Sequence, residues 1–150
     1  MATTKRRIHG KGLFLQEEYV AAAAGIYPGM LVKMDSSGNV AVHADEGGRA
    51  ELMLAIEDVL QGKTVSTVYT ISTIVTCILP CKGGEVNALI EDGQNVAIGD
   101  HLISAGNGKF KVASDLESGE TYDETLLVAV EACDLTGSAT SDTLCACRVV

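Results

Sequence analysis

The feature that most constrains this chain is an internal repeat, in which the second copy begins seventy residues after the first. PGMLVKMDSSGNVAV at residues 28–42 aligns without a gap with IGDHLISAGNGKFKV at residues 98–112. The copies share glycines at 29/99 and 38/108, and a valine at 42/112. Each copy has an apolar run, a turn of small polar residues and a second apolar run, which is typical of a β-hairpin. We therefore expect an equivalent hairpin in each half of the chain.

The repeat continues beyond the hairpins. LAIE at residues 54–57 matches VAVE at residues 128–131, where the offset has grown from seventy to seventy-four. The four extra residues fall in the polar connection at residues 114–125, where an insertion costs little loop-closure entropy. A polar turn and a β-branched run follow in both copies. Two such units predict a duplicated β-fold, because a solenoid needs at least three repeats.

The rest of the chain also favours strands. Apolar residues make up 47% of the 150 residues, so a packed core is expected. Residues 66–95 match neither copy, but their β-branched runs and glycine turns predict strands. Residues 50–60 fit a helix nearly as well as a strand, and the repeat favours the strand. Residues 13–24 are rich in helix-favouring side chains and allow one or two helical turns.

We therefore predict an all-β fold, with a minor helix possible, as a compact β-barrel or β-sandwich built from two related β-subunits. The repeat units span about residues 26–65 and 96–150 of a single domain, residues 13–150. Closed or nearly closed sheets are expected, because so many strands would otherwise leave edges that promote aggregation. An extended basic arm, residues 1–12, precedes this domain.

The arm opposes the charge of the body that follows it. Its cations are Lys5, Arg6, Arg7 and Lys11, whereas the remaining 138 residues carry seven basic and twenty acidic side chains. An acidic body disfavours nucleic acid as a partner. The arm is then either a solvated tail or a strap that docks on an acidic partner. Because it has no apolar face to bury, we expect it to be poorly ordered in the isolated protein and dispensable for folding.

No secretory or membrane-spanning segment is indicated. Residues 10–18 lack the uninterrupted apolar core of a signal peptide. The uncharged stretch at residues 64–81 contains seven Ser and Thr residues and Pro80, which argues against a membrane span. The expectation is a soluble protein that is made in the cytoplasm and has no membrane partner.

The sequence contains no recognisable catalytic motif. It has no nucleophile elbow, no P-loop and no paired Cys-x2-Cys set. The three imidazoles, which follow no ligand pattern, belong to His9, His43 and His101. Acidic pairs lie at strand ends and turns, where a solvated carboxylate is the usual state: Asp45-Glu46, Glu57-Asp58 and Glu91-Asp92. We predict a protein that is not an enzyme, with no catalytic residue, metal site or cofactor.

The cysteines are odd in number and cannot all pair within one chain: Cys77, Cys81, Cys133, Cys145 and Cys147. Their spacing is poor for a zinc site, and buried thiols acting as small apolar side chains are favoured over zinc or a Cys133–His43 catalytic pair. We expect the last three to be reduced and buried in the core of the second half.

Two long segments resemble a known family. GKGLFLQEEYVAAAAGIYPGMLVKMDSSGNVAVHADEGGRAELMLAIEDVLQGK, residues 10–63, resembles the N-terminal half of tailed-phage capsid decoration proteins, also called head cement proteins. GGEVNALIEDGQNVAIGDHLISAGNGKFKV, residues 83–112, resembles the start of their second half. The resemblance rests on the placement of glycines and apolar residues. The sequence departs from the family pattern at residues 67–81, where a Thr/Ile-rich run replaces a Gly-Asp turn.

The resemblance implies a non-enzymatic protein on the outer capsid surface of the virion, synthesised in the host cytoplasm. Its partners would be the major capsid protein and itself, as a homotrimer at three-fold or quasi-three-fold positions, without nucleic acid or membrane. The expected capsid-binding residues lie in and just after the arm: Lys5, Arg6, Arg7, Lys11, Leu13 and Phe14. The alternative is a virion-displayed module that recognises a host surface or glycan through exposed aromatics, for which the candidates are Tyr19, Tyr27, Tyr69 and Tyr122.

Overall fold

The computed structural model describes residues 5–113 and 124–150 of the chain, and these residues form an all-β structure. Their only helix is a single 3-10 turn, Val59–Gln61, and no helix there is long and apolar enough to cross a membrane. The predicted fold class is confirmed. The strands are β1 (His9–Lys11), β2 (Phe14–Val20), β3 (Val32–Met34), β4 (Val40–Val42), β5 (Leu54–Ala55), β6 (Ile74–Pro80), β7 (Glu85–Ile90), β8 (Asn95–Val96), β9 (His101–Ser104), β10 (Phe110–Val112), β11 (Leu127–Ala129), β12 (Cys133–Asp134) and β13 (Thr143–Val149).

The second half of the chain closes into a five-stranded barrel. Its strands neighbour one another in the order β7, β10, β9, β11 and β13, and β13 pairs with β7 to complete the ring. The β10–β7 pair is parallel and the others are antiparallel. Phe110, Leu102 and Leu127 fill the interior and are fully buried. Each strand of the ring therefore has two neighbours, although β7 pairs with β10 only at Ile90.

The first half forms the same ring of strands, but two of the contacts between its strands are single bridges. Its strands β2, β6 and β5 form one sheet, and β3 pairs with β4. Single bridges, Leu31 to Leu54 and Ala21 to Val40, connect the two sheets. The second bridge is parallel, as is the β10–β7 pair that occupies the equivalent position in the second barrel.

The hairpins of the two halves have the same register. Val32 pairs with Val42 in the first hairpin, and Leu102 pairs with Val112 in the second. The Gly29 N–H donates to the Ala55 carbonyl at 2.8 Å, and the Gly99 N–H donates to the Ala129 carbonyl at 2.8 Å. Both glycines have positive φ, 90° and 93°. The two halves are therefore related β-subunits, with the offset of seventy changing to seventy-four as the sequence predicts.

The correspondence extends beyond the predicted repeat limits. Strand β6 occupies the place of β13, because Ala55 pairs with Cys77 as Ala129 pairs with Cys147. Strand β2 occupies the place of β7. The Ala22 N–H donates to Val40, just as the Glu91 N–H donates to Phe110. The expectation that residues 66–95 have no counterpart is therefore wrong: they contain the last strand of the first barrel and the first strand of the second.

Two local predictions are corrected by tertiary pairing. Residues 14–20 form a strand instead of helical turns, because β2 pairs with β6 along its whole length. Long-range pairing outweighs a local helix preference of a few tenths of a kcal/mol per residue. Within residues 50–60 only Leu54–Ala55 is a strand. The 3-10 turn follows it, with the Asp58 side chain accepting from the Gln61 N–H at its start.

The two barrels meet at a joint made by the base of the first hairpin and the tip of the second. Gly108 donates to the His43 carbonyl at 3.0 Å and accepts from the Leu31 N–H at 2.7 Å. On the edge of β7, the Leu89 N–H donates to the Gly29 carbonyl at 3.0 Å. We call these contacts the barrel–barrel joint. Buried side chains from both halves form one hydrophobic cluster across it.

Close backbone approach at the joint requires glycine. A Cβ added to Gly29 would lie 2.6 Å from Leu144 Cδ2 and 3.2 Å from the Leu89 nitrogen. Gly25 also has positive φ, 92°, but an added Cβ there meets nothing within 4 Å. Alanine substitutions at these two positions therefore distinguish the cost of backbone strain, which both carry, from the cost of crowding, which only Gly29→Ala carries.

We predict that Gly29→Ala lowers the free energy of unfolding more than Gly25→Ala does. Both substitutions carry a backbone penalty of about 1–2 kcal/mol. Gly29→Ala adds about 1–3 kcal/mol of overpacking against the second barrel. Urea denaturation of both variants measures the difference, and equal losses would contradict the close approach at the joint.

Candidate interaction surface

The N-terminal segment, residues 5–12, lies on the body of the protein. Strand β1 pairs antiparallel with β7, with His9 opposite Val86 and Lys11 opposite Glu85. The Asn87 N–H donates to the Ile8 carbonyl at 2.7 Å. The Ile8 side chain is fully buried in the cluster that joins the barrels. The expectation of a poorly ordered arm without an apolar face is therefore wrong for these residues, because Ile8 supplies that face.

A buried carboxylate fixes the segment at Arg7 and Ile8. Glu57 Oε1 lies 2.9 Å from Arg7 Nε, and Glu57 Oε2 accepts from the Ile8 N–H at 3.1 Å. The Glu57 side chain is only 4% exposed, so the sequence-based interpretation of a solvated carboxylate is wrong here. Both oxygens have partners, which offsets the cost of removing the charge from water.

Two further carboxylates bind the cations at the ends of the segment. Lys5 Nζ lies 2.8 Å from Glu131 Oε2, and Lys11 Nζ lies 3.4 Å from Glu85 Oε2. Glu57 and Glu131 are the same position in the two repeat units, so each barrel contributes one equivalent glutamate. The repeated glutamate in LAIE and VAVE was the sequence signal that could have identified this pair of anchors.

The ionisation of these carboxylates favours the docked segment. Hydrogen bonds from Arg148 and Lys11 hold the pKa of Glu85 below its ordinary value. Burial opposes ionisation of Glu131, but hydrogen bonds from Lys5 and the Ala146 N–H outweigh it, so that pKa is also lowered. A lowered folded-state pKa means that the stabilisation is present above the ordinary carboxyl pKa and is lost as the pH falls through the folded value.

The residues predicted to bind a capsid lie along one strip but differ in accessibility. Arg6 is exposed and has no ion pair within the described chain, and Leu13 is 80% exposed. Phe14 is half-buried and packs against His9, with ring centroids 4.2 Å apart and the ring planes inclined at 50°. The side chains of Arg7 and Lys11 remain 66% and 79% exposed within their ion pairs. Residues 5–12 thus present exposed cations, and Leu13 directly after them presents an exposed apolar side chain.

No catalytic arrangement appears in the part of the chain that the structure describes. His43 is buried, and its ring nitrogens lie 2.8 Å from Ser104 Oγ and 3.2 Å from the Arg49 carbonyl. These contacts satisfy both ring nitrogens of His43 at the barrel–barrel joint. Across residues 5–113 and 124–150, no three His, Cys, Asp or Glu side chains group in a way that could hold a metal ion.

The tyrosines do not form an aromatic recognition surface within the described residues. Tyr69 is buried and donates its hydroxyl to the Ile56 carbonyl at 2.6 Å. Tyr19 is half-buried against a cluster of buried side chains within the first barrel, and Tyr27 is 37% exposed. Tyr122 lies outside the described residues.

The cysteines are unpaired and mostly buried. Cys145 and Cys147 are buried in the cluster that the two barrels share, as expected, whereas Cys133 is half-buried. In the first half, burial raises the pKa of Cys77 to about 12. Cys81 is exposed, which the sequence did not predict.

We predict that the native protein has one fast-reacting thiol, Cys81. Cys133 reacts more slowly because it is half-buried and its pKa is raised by burial. The other three react only on unfolding, because their side chains are buried and a reagent cannot reach them in the folded protein. Timed labelling with a thiol reagent at pH 8 measures this, and Cys81→Ser removes the fast phase. Rapid labelling of all five would contradict the burial described.

The loss of Ile8 should destabilise the fold. Ile8→Ala is expected to lower the free energy of unfolding by about 2–5 kcal/mol, because it leaves a cavity in the shared cluster. The matched control is Leu13→Ala, directly after the segment, whose exposed side chain predicts a change within about 0.5 kcal/mol. Urea denaturation measures both, and deletion of residues 1–12 should cost at least as much as Ile8→Ala.

No protein-family model and no curated protein matches this chain. A solved structure does resemble it: the crystal structure of the head fiber gp8.5 N base in bacteriophage phi29. The two agree with a TM-score of 0.55 at 11% sequence identity, over 92% of this chain and 95% of that chain. At this identity the likeness shows a shared fold, and it covers both barrels.

Proposed function

We propose that this chain is a non-enzymatic decoration protein that binds the outer surface of a tailed-phage head and stabilises the shell. The observation that carries the proposal is the match of nearly the whole chain, both barrels included, to the base of a phage head fiber. Its partners are the major capsid protein and further copies of itself, as a trimer at three-fold or quasi-three-fold positions. It requires no cofactor, and no nucleic acid or membrane takes part.

The two-barrel body suits a mechanical role. The barrels share one buried cluster, and the N-terminal segment is fastened to that cluster by Ile8. Closed barrels expose few unpaired strand edges, which limits non-specific association. A stabilising protein of this kind acts through a fixed shape that bridges neighbouring capsid subunits.

The outer face of the N-terminal segment is the proposed attachment surface. Arg6, Arg7 and Lys11 offer cations to acidic groups on the shell, and Leu13 offers an exposed apolar side chain. Lys5 and Phe14 hold the segment in place beneath them. A single exposed ion pair contributes only about 0.2–1 kcal/mol. Three copies bound to one symmetric position raise the effective concentration of every contact, so weak contacts can give firm attachment.

The test is binding to heads assembled without this protein. We expect the wild-type chain to co-sediment with such heads and to raise the temperature at which they release DNA. The double variant Arg6→Glu with Leu13→Asp should bind at least about tenfold more weakly, equivalent to about 1.4 kcal/mol. Its binding should also depend less on salt, because cationic contacts are lost.

The matched control carries the same kinds of change at exposed positions that do not line the cleft beside the N-terminal segment, Arg49→Glu with Ile71→Asp. It should bind heads like the wild type. Failure of the wild-type chain to co-sediment with heads would reject the proposed function. Equal weakening by both double variants would reject the N-terminal segment as the attachment surface.

A further inference from the structure

The barrel–barrel joint uses a different face of each barrel. The second barrel therefore keeps its own copy of the face that the first barrel uses, and the first barrel keeps its own copy of the face that the second uses. The first barrel contributes its hairpin base, with Gly29 and Leu31, and the second contributes a hairpin tip, Gly108, and the edge of β7. Gly29 does not meet its own repeat counterpart, Gly99. A contact between unlike faces is heterologous, and such contacts repeat from one molecule to the next.

The repeat counterparts of the hairpin base are all accessible on the second barrel. Pro28, Gly29 and Leu31 are buried at the joint, whereas Ile98, Gly99 and His101 at the equivalent positions are exposed. Ile98 is 71% exposed. An added Cβ on Gly99 meets nothing within 4 Å.

The counterparts of the receiving face are accessible on the first barrel. Within the joint, Leu89, Ser104, Gly108 and Leu144 are buried. Their counterparts are exposed and mostly apolar: Val20, Met34, Gly38 and Ile74. Val20 and Ile74 are paired across β2 and β6, so they form one patch. A contiguous exposed apolar patch is a common feature of a protein–protein contact site.

The unused backbone groups also match. In the joint, the N–H of Leu89 on the outer edge of β7 donates to Gly29. The equivalent edge of β2 carries the Val20 N–H, which has no backbone partner among residues 5–113 and 124–150. The polar pair His43 and Ser104, which lies in the joint, is replaced by the apolar counterparts Ala113 and Met34. The two free faces therefore complement each other as the internal faces do, with an apolar contact in place of one hydrogen bond.

We propose that copies of this chain associate head to tail, with the second barrel of one copy docking on the first barrel of the next through a repeat of the barrel–barrel joint. Ile98 and Gly99 of one copy lie against Val20 and Ile74 of the next, and Gly38 of the receiving copy meets the hairpin base at His101. The inference rests on the self-association included in the proposed function and not on attachment to heads. If the ring closes with three copies, six barrels lie around its axis.

The test uses two variants, each of which blocks one face with a charge at an exposed position. Ile98→Arg blocks the second barrel, and Ile74→Arg blocks the first. Sedimentation velocity should give an assembly larger than a dimer for the wild type and a monomer for each variant alone. An equimolar mixture of the two variants should form a dimer and nothing larger, because only one intact pair of faces remains. Leu60→Arg is the control and should keep the wild-type mass.

The unfolding midpoints in urea should be the same for both variants, since both side chains project into solvent in a single copy. The inference would be overturned by a wild-type chain that stays monomeric at about 100 µM. An association with a Kd of about 1 µM would be nearly complete at that concentration. Variants that keep the wild-type mass, or a mixture that stays monomeric, would also overturn the inference. A chain that assembles in this way but does not bind heads would reject the proposed function and leave this inference standing.

Discussion

The structure depends on the absence of two side chains, at Gly29 and Gly108. At these positions the backbone of one barrel touches the other barrel directly, with an added Cβ on Gly108 lying 3.0 Å from Val42 Cβ. This approach lets the outer face of the first barrel and the edge of the second share one cluster of buried side chains. A short β-barrel of some seventy residues buries a small core by itself, and fusing two cores increases the buried fraction. The hydrophobic stabilisation of each half therefore includes a contribution from the other.

A buried charge, Glu57, organises the N-terminal segment. Glu57 is almost inaccessible to water, and it is tolerable there because Arg7 and the Ile8 N–H satisfy both of its oxygens. Removal of either partner would leave an unbalanced buried charge, which costs more than the pair contributes. Ile8 and Glu57 thus depend on each other: the apolar side chain is placed by the carboxylate, and the carboxylate is covered by the segment that carries Ile8.

The sequence predicts those elements whose backbone conformation requires a particular type of residue at a particular position. The glycines at 29/99 and 38/108 were recognisable because their turns require positive φ, and this requirement persists when other residues drift. The equivalence of β2 and β7 could not be recognised from the sequence. A strand requires only alternating side chains and a partner strand, so it places little constraint on residue identity. Glu17 stands where Val86 stands in the second barrel, and pairing with β6 determines the conformation all the same. The anchor role of Glu57 was missed because burial of a carboxylate follows from residues fifty positions away.

The path of the chain from β1 into β2 has a mechanical consequence. Strand β1 is bonded to the second barrel, and β2, only three residues further on, belongs to the first. Phe14 at the start of β2 pairs with Pro80 at the end of β6, and β6 continues into the second barrel through residues 81–84. A pulling force that separated the barrels would therefore act on two adjacent connections at once, the covalent one after β6 and the hydrogen-bonded one through β1. The same stretch that positions Ile8 thus works as a second tether between the halves.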